Sequence, residues 1–134
     1  MLHKLKYVFY FESLLMGITV VLGLFAPAEF LKQLTTVEPT ELSLQLARWY
    51  AVPFIPLTAI QIATLIEGNR YALNLVMVTY LITDCVQFVV TLLFANEMGW
   101  QLTHYVSGGT ALLFIASRAA CIRNPDRIGV VLKG

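Results

Sequence analysis

The chain has 134 residues, of which 58% are hydrophobic and only 13% are charged. Soluble domains hold about 45–50% hydrophobic and about 25% charged residues, so this composition excludes an ordinary soluble domain. The net charge of +1 gives no whole-molecule attraction to nucleic acid, and we expect no nucleic-acid partner. The length predicts a single domain. The composition indicates that this domain is integral to a membrane, with the lipid bilayer as its surroundings.

Four apolar segments are each long enough to cross a bilayer as a helix, which takes about 20 residues. They cover approximately residues 7–25, 47–66, 72–94 and 102–122. We expect the first to be kept as a span rather than removed as a signal peptide, because no small-residue cleavage site clearly ends it. Short polar connections predict that successive spans are neighbours. The sequence therefore predicts an all-α fold, an up-down bundle of four transmembrane helices.

The connection between spans one and two is the only long one. Apolar residues recur in it at helical spacing, which predicts a short helix in the membrane interface. Span two contains Pro53 and Pro56, and proline inside a helix is expected to bend it. Thr58 and Gln61 follow within two turns, where their side chains could satisfy carbonyls that the bend releases.

Basic residues gather on one side of this arrangement. That side holds Lys4, Lys6, Arg70, Arg118, Arg123, Arg127 and Lys133. The other side holds Lys32 and Arg48, with the acidic residues Glu29, Glu38, Glu41 and Glu97. Segments rich in Lys and Arg stay on the cytoplasmic side. The pattern predicts that both termini are cytoplasmic, and a bacterial inner membrane is the location we expect.

Asp84, near the middle of span three, is the strongest candidate for a functional group. A charged side chain at the centre of a membrane helix costs at least ~2.5–3.5 kcal/mol on insertion scales. Tyr80, Thr83, Gln87 and Thr91 lie at helical spacing from Asp84, which predicts a polar stripe facing the bundle interior. Two interpretations of Asp84 stay open: it binds a proton or a ligand, or it belongs to a structural network of hydrogen bonds between helices.

Three further charged residues need an explanation inside or near the membrane. Glu12 lies in span one, and Arg118 lies at a similar depth in span four. They could form a structural ion pair, or Arg118 could extend to the membrane surface. Arg48 opens span two, where it could anchor to headgroups or reach toward Asp84. Glu12 is also a candidate proton-binding group.

Small residues in span four, Ser107 and Gly108 among them, predict a close-packed seam within the bundle or against a partner. Cys85 and Cys121 have no metal-ligand spacing, and we expect both thiols to be buried. A haem between two helices would need two axial ligands. His104 and His3 are predicted on opposite sides, so we expect no cofactor and no metal.

Two short motifs and the overall layout resemble the DoxX-like group of small four-span bacterial proteins. The motifs are FAP at 25–27, where span one ends, and ARWY at 47–50, where span two opens. A loop of about twenty residues separates them, and three further compact spans complete the resemblance over most of the chain. It implies little chemistry, because members are mostly membrane accessory subunits or have no assigned role.

The chain is also similar to the small multidrug resistance transporters. Those proteins have four spans and a membrane-embedded glutamate in the first, to which Glu12 would correspond. This chain departs from them because it lacks their tryptophan- and glycine-containing motifs in the middle spans. Its strong charge bias also differs from the weak bias that antiparallel dimers need.

We predict a non-catalytic accessory or structural subunit of a larger membrane complex, because no nucleophile–base pair, metal cluster or phosphate loop is recognisable. Membrane-protein partners or a homo-oligomer are expected. The alternative is a binder or carrier of a small lipophilic molecule such as a quinone, lipid or pigment. A third hypothesis, a proton-coupled transporter, would use Glu12 or Asp84.

Overall fold

The computed structural model describes residues 4–133, and within them the chain is almost wholly helical. The elements are α1 (Lys6–Phe25), α2 (Pro27–Lys32), α3 (Glu41–Ala51), α4 (Phe54–Glu67), α5 (Arg70–Met98), α6 (Leu102–Arg123) and a 3-10 helix at Pro125–Ile128. Four stretches are long and apolar enough to cross a membrane, if α3 and α4 are taken together as Glu41–Glu67. The predicted all-α fold with four candidate spans is therefore confirmed.

The second span is longer than its apolar segment suggests and is interrupted. It begins at Glu41, where a pair of hydrogen bonds caps α3. The Ser43 backbone N–H donates to the Thr40 hydroxyl at 3.2 Å, and the Thr40 backbone N–H donates to the Ser43 hydroxyl at 2.9 Å. The helix breaks at Val52 and Pro53 and resumes as α4. Proline has no N–H to donate to the preceding turn, which explains why the break falls there. The predicted short helix in the first loop is present as α2, and its depth in a membrane stays a prediction.

α1 packs on α3 and α4, while α5 packs mainly on α6. A glycine lets α1 approach α3 closely: a Cβ atom at Gly23 would lie 2.6 Å from the Cβ of Ala51 and 3.2 Å from the carbonyl oxygen of Ala47. Small residues at such contacts are typical of helices that pack in lipid. The contact holds span one against span two.

The described C-terminal segment bonds both to the turn between α4 and α5 and to the residue that precedes α1. Gly68 has φ +68° and ends α4 in the left-handed conformation that favours glycine. Lys133 donates its backbone N–H to the Gly68 carbonyl at 2.8 Å, and Arg70 donates to the Lys133 carbonyl at 3.2 Å. The backbone N–H of Leu5 bonds to the Arg127 carbonyl at 3.0 Å. The C-terminal tail thus fastens the start of α1 and the α4–α5 turn together.

The main apolar core lies at this same end. Its buried members are Leu5, Phe9, Leu65, Leu73, Met77, Cys121 and Ile128. They come from α1, α4, α5, α6 and the 3-10 helix, so all four candidate spans contribute to it. This core supports the site described below, because Phe9 also lines that site.

Candidate functional site

A buried guanidinium joins side chains from all four candidate spans. Arg118 of α6 is 0% exposed. Its Nη2 donates to both carboxylate oxygens of Glu12 on α1, at 2.6 and 2.5 Å, and lies 3.4 Å from Oε1 of Gln61 on α4. Its Nη1 donates to Oδ2 of Asp84 on α5. We call Glu12, Gln61, Asp84 and Arg118 the charge cluster.

The direction of α6 explains how Arg118 reaches this cluster. Arg118 lies five residues before the end of α6, or about 8 Å at 1.5 Å per residue. Side chains lean toward the N-terminus of their helix, so Arg118 extends away from the nearby helix end. Asp84, the middle residue of α5, is within its reach. The alternative in which Arg118 extends to the membrane surface is wrong, since the side chain is fully buried.

Gln61 fixes the position of Glu12. Its Nε2 lies 2.8 Å from the Phe9 carbonyl oxygen, 3.0 Å from Oε2 of Glu12 and 3.2 Å from Oγ of Ser13. The expectation that Gln61 satisfies carbonyls of its own bent helix is therefore wrong: its donors go to α1. Thr58 bonds within its own helix, to the Phe54 carbonyl at 2.7 Å, but the prolines do not release that carbonyl.

Aromatic rings surround the guanidinium. Its Cζ lies 5.6 Å from the ring centre of Phe9, 5.1 Å from that of Tyr80 and 5.9 Å from that of Phe114. Cations are attracted to aromatic faces at such distances. Tyr80 also donates its hydroxyl to the Leu57 carbonyl at 2.7 Å, which links α5 to α4. The Nε of Arg118 has no partner among the residues described.

The charges in the cluster do not balance. Two carboxylates share one guanidinium, so the site carries one negative charge in excess when both are ionised. The Asp84 side chain is 13% exposed, against 5% for Glu12. Asp84 also uses only Oδ2 in a hydrogen bond to the described part of the chain. Asp84 is therefore the member that can accept a further proton, cation or hydrogen-bond donor.

The predicted polar stripe on α5 is only partly interior. Tyr80 and Thr91 are buried, but Thr83 and Gln87 are exposed. Successive helical residues turn by about 100°, which carries Thr83 away from the face of Asp84, and its hydroxyl bonds to the carbonyl of its own helix at Thr79. Gln87 shares the face of Tyr80 and Thr91 but is exposed, so this face is not fully covered just beyond Asp84.

The remaining candidates lie apart from the cluster. Arg48 is half-buried and makes no ion pair within residues 4–133, and Asp84 pairs with Arg118 instead. Ser107 is half-buried. A Cβ at Gly108 would meet Phe88 of α5 at 3.7 Å, whereas one at Gly109 would have nothing within 4 Å. Among the small residues of α6, Gly108 therefore faces α5 and Gly109 faces away from the bundle.

His104 and the cysteines form no site with the cluster. His104 is buried, and its Nδ1 accepts from the Gln101 backbone N–H at 3.1 Å, which caps α6. His3 lies outside the described residues. The expectation of two buried thiols is wrong for Cys85, which is exposed, while Cys121 is buried. No group of three potential metal ligands occurs in the described part of the chain.

No protein-family model, curated protein or solved structure matches the chain. Its function must therefore be inferred from the arrangement of its own residues.

The charge count predicts an asymmetry between two substitutions. Arg118→Gln leaves two carboxylates without a counter-charge and should lower the free energy of unfolding by about 3–5 kcal/mol. Glu12→Gln leaves one carboxylate paired with one guanidinium and should cost about 1 kcal/mol. Denaturant titration of the purified protein in micelles measures both values. Arg123→Gln, at an exposed position, is the control and should change stability by less than about 0.5 kcal/mol. A loss in Arg118→Gln no greater than in Glu12→Gln would contradict the charge count.

Proposed function

We propose that this chain is a multi-pass membrane protein that binds a small lipophilic molecule, whose polar group sits at Asp84. The observation that carries the proposal is the unbalanced charge cluster, in which two carboxylates share Arg118. A buried charge without compensation is costly in a low-dielectric interior. A ligand with a positive charge, such as an amine, would neutralise the excess charge, and a ligand with a hydrogen-bond donor, such as a lipid hydroxyl or a quinol, would lower its cost.

Access to Asp84 also supports this proposal. Gln87 is exposed between the buried residues Tyr80 and Thr91 on the same face of α5. Gln87 donates to Thr91 at 3.4 Å, a long hydrogen bond that a ligand could replace. Binding sites for small molecules are mostly apolar, with a few placed polar groups that fix orientation. The surroundings of Asp84 have this composition, because Tyr80 and Phe114 line the cluster.

A second candidate function, an accessory or structural subunit of a larger membrane complex, is favoured by the outer side of α6. Gly109 and Ala116, seven residues apart, are both exposed, and a Cβ at Gly109 would meet nothing within 4 Å. Small residues on an exposed membrane helix favour close docking of another helix. The resemblance to the DoxX-like proteins agrees with this role and stays a prediction.

We expect Asp84→Asn to weaken ligand binding without unfolding the protein. The substitution leaves Glu12 paired with Arg118, so the cluster becomes neutral, and it removes the acceptor charge at Asp84. A charge-assisted hydrogen bond contributes about 1.5–3 kcal/mol, so ligand retention should fall about 10- to 100-fold. Native mass spectrometry after mild extraction, followed by solvent extraction of adducts, measures this retention.

Thr83→Val is the matched control, because Thr83 is the neighbouring residue, is exposed and bonds only to its own helix. It should keep the adduct. An adduct retained equally by Asp84→Asn would contradict the assignment of Asp84. A chain that carries no adduct and appears only with larger membrane subunits would favour the accessory function. Proton uptake in wild-type protein without an adduct, lost in Asp84→Asn, would instead favour proton-coupled transport.

The cytoplasmic placement of both termini, in an up-down bundle of a bacterial inner membrane, belongs to the same proposal. It is supported by the bias of Lys and Arg toward one set of helix ends. Single cysteines placed by Glu67→Cys and Glu97→Cys, with Cys85 and Cys121 replaced by serine, test it. An impermeant maleimide applied to intact cells should label position 97 and spare position 67; the reverse pattern would overturn the orientation.

A further inference from the structure

A cavity lies at the start of α5, away from the charge cluster. It has a volume of about 570 Å³ and is bounded by the start of α5, the end of α6 and the 3-10 helix. Arg70 and Arg123 line it, together with the polar side chains of Tyr71 and Asn74. Its floor includes Met77, a member of the apolar core.

The two arginines are free to bind an anion. Neither Arg70 nor Arg123 forms an ion pair or a side-chain hydrogen bond with any residue in 4–133, and both are exposed. The nearest acidic residues along the chain, Glu67 and Asp126, do not line the cavity. A guanidinium presents donors in a planar fork that matches phosphate oxygens, and two of them can bind one phosphate from two sides.

The depth of the cavity identifies the source of that phosphate. Arg70 is the first residue of α5 and Arg123 the last of α6, so the cavity lies where two candidate spans end. Lipid headgroups occupy this level of a bilayer. Tyr71 is 80% exposed beside the cavity, and tyrosine is enriched at membrane interfaces. Below the basic rim the lining becomes apolar, with Leu73, Met77 and Ile122, which suits the acyl chains of a lipid better than a free phosphate.

We propose that this cavity binds the phosphate of an anionic phospholipid. Arg70 and Arg123 hold the headgroup phosphate, and Asn74 and Tyr71 supply further hydrogen-bonding groups at the rim. The site is independent of the charge cluster, which carries the opposite charge and lies deeper along the helices.

Native mass spectrometry with defined lipids tests this proposal. The purified chain is mixed with phosphatidylglycerol or with phosphatidylcholine of the same acyl chains, and the bound lipid is counted. Both lipids carry the phosphate, but the cationic choline of phosphatidylcholine offsets its charge and is repelled by the arginines. We therefore expect preferential retention of phosphatidylglycerol by the wild-type chain. Each basic residue near an anionic surface contributes about fivefold to affinity, so Arg70→Gln with Arg123→Gln should weaken that retention about 30-fold. Each single substitution should weaken it about fivefold, which keeps the test valid if the double variant folds poorly.

Arg127→Gln is the matched control, because Arg127 is an exposed arginine of the 3-10 helix at the same end of the protein and does not line the cavity. It should leave phosphatidylglycerol retention unchanged. Equal retention of both lipids, or retention unaffected by Arg70→Gln and Arg123→Gln, would overturn the proposal. Binding of inorganic phosphate that excludes phosphatidylglycerol would overturn the lipid source and assign the cavity to a free anion.

Discussion

The structure depends on one buried guanidinium. Arg118 contacts Glu12, Gln61 and Asp84, so a single side chain of α6 is bonded to α1, α4 and α5. In a bilayer, helices gain little hydrophobic energy from association, because lipid tails are as apolar as the side chains they replace. A charged group in that environment must find its partners inside the protein. The charge cluster therefore specifies which faces of the four helices meet.

The other contacts allow this cluster to form. Gly23 permits α1 to lie against α3, and the apolar core with the C-terminal tail fastens the helices at the end that holds both described termini. The cluster itself is not optimised for stability alone. Buried ion pairs often contribute little net stability, because removing the charges from water offsets their attraction. A second carboxylate on one guanidinium adds to that cost, which is the physical reason to assign Asp84 a binding role.

The sequence predicted much of this architecture and part of the site. Runs of apolar residues are local signals, and they identified the four candidate spans. Asp84 stood out because a carboxylate in an apolar run needs an explanation, and the contact between Glu12 and Arg118 was one of two interpretations. The sequence did not predict the contact between Asp84 and Arg118. The backbones of these two residues lie at different depths, since Asp84 is in the middle of α5 and Arg118 is near the end of α6. The long arginine side chain and its lean toward the helix N-terminus bridge that difference.

Other features could not be read from one sequence. Helical spacing places Gln87 on the face of Tyr80 and Thr91, but whether a neighbouring helix covers that face is a tertiary property. The same holds for Gln61, whose partners lie about fifty residues away on α1. The helix of span two begins at Glu41, before the apolar segment that predicted it starts at about residue 47. The capping pair of Thr40 and Ser43 starts this helix in polar sequence.

Solid-state NMR of the chain in lipid bilayers, with ¹⁵N in the arginine side chains and ¹³C in the carboxylates, tests most directly whether the charge cluster forms. The dipolar couplings of the Arg118 guanidinium nitrogens report which groups lie beside them. If the charge cluster forms in the bilayer, Arg118 shows strong couplings to the carboxylate carbons of both Glu12 and Asp84, and none to lipid phosphorus. A guanidinium coupled to lipid ³¹P instead would place Arg118 at the membrane surface and contradict the charge cluster.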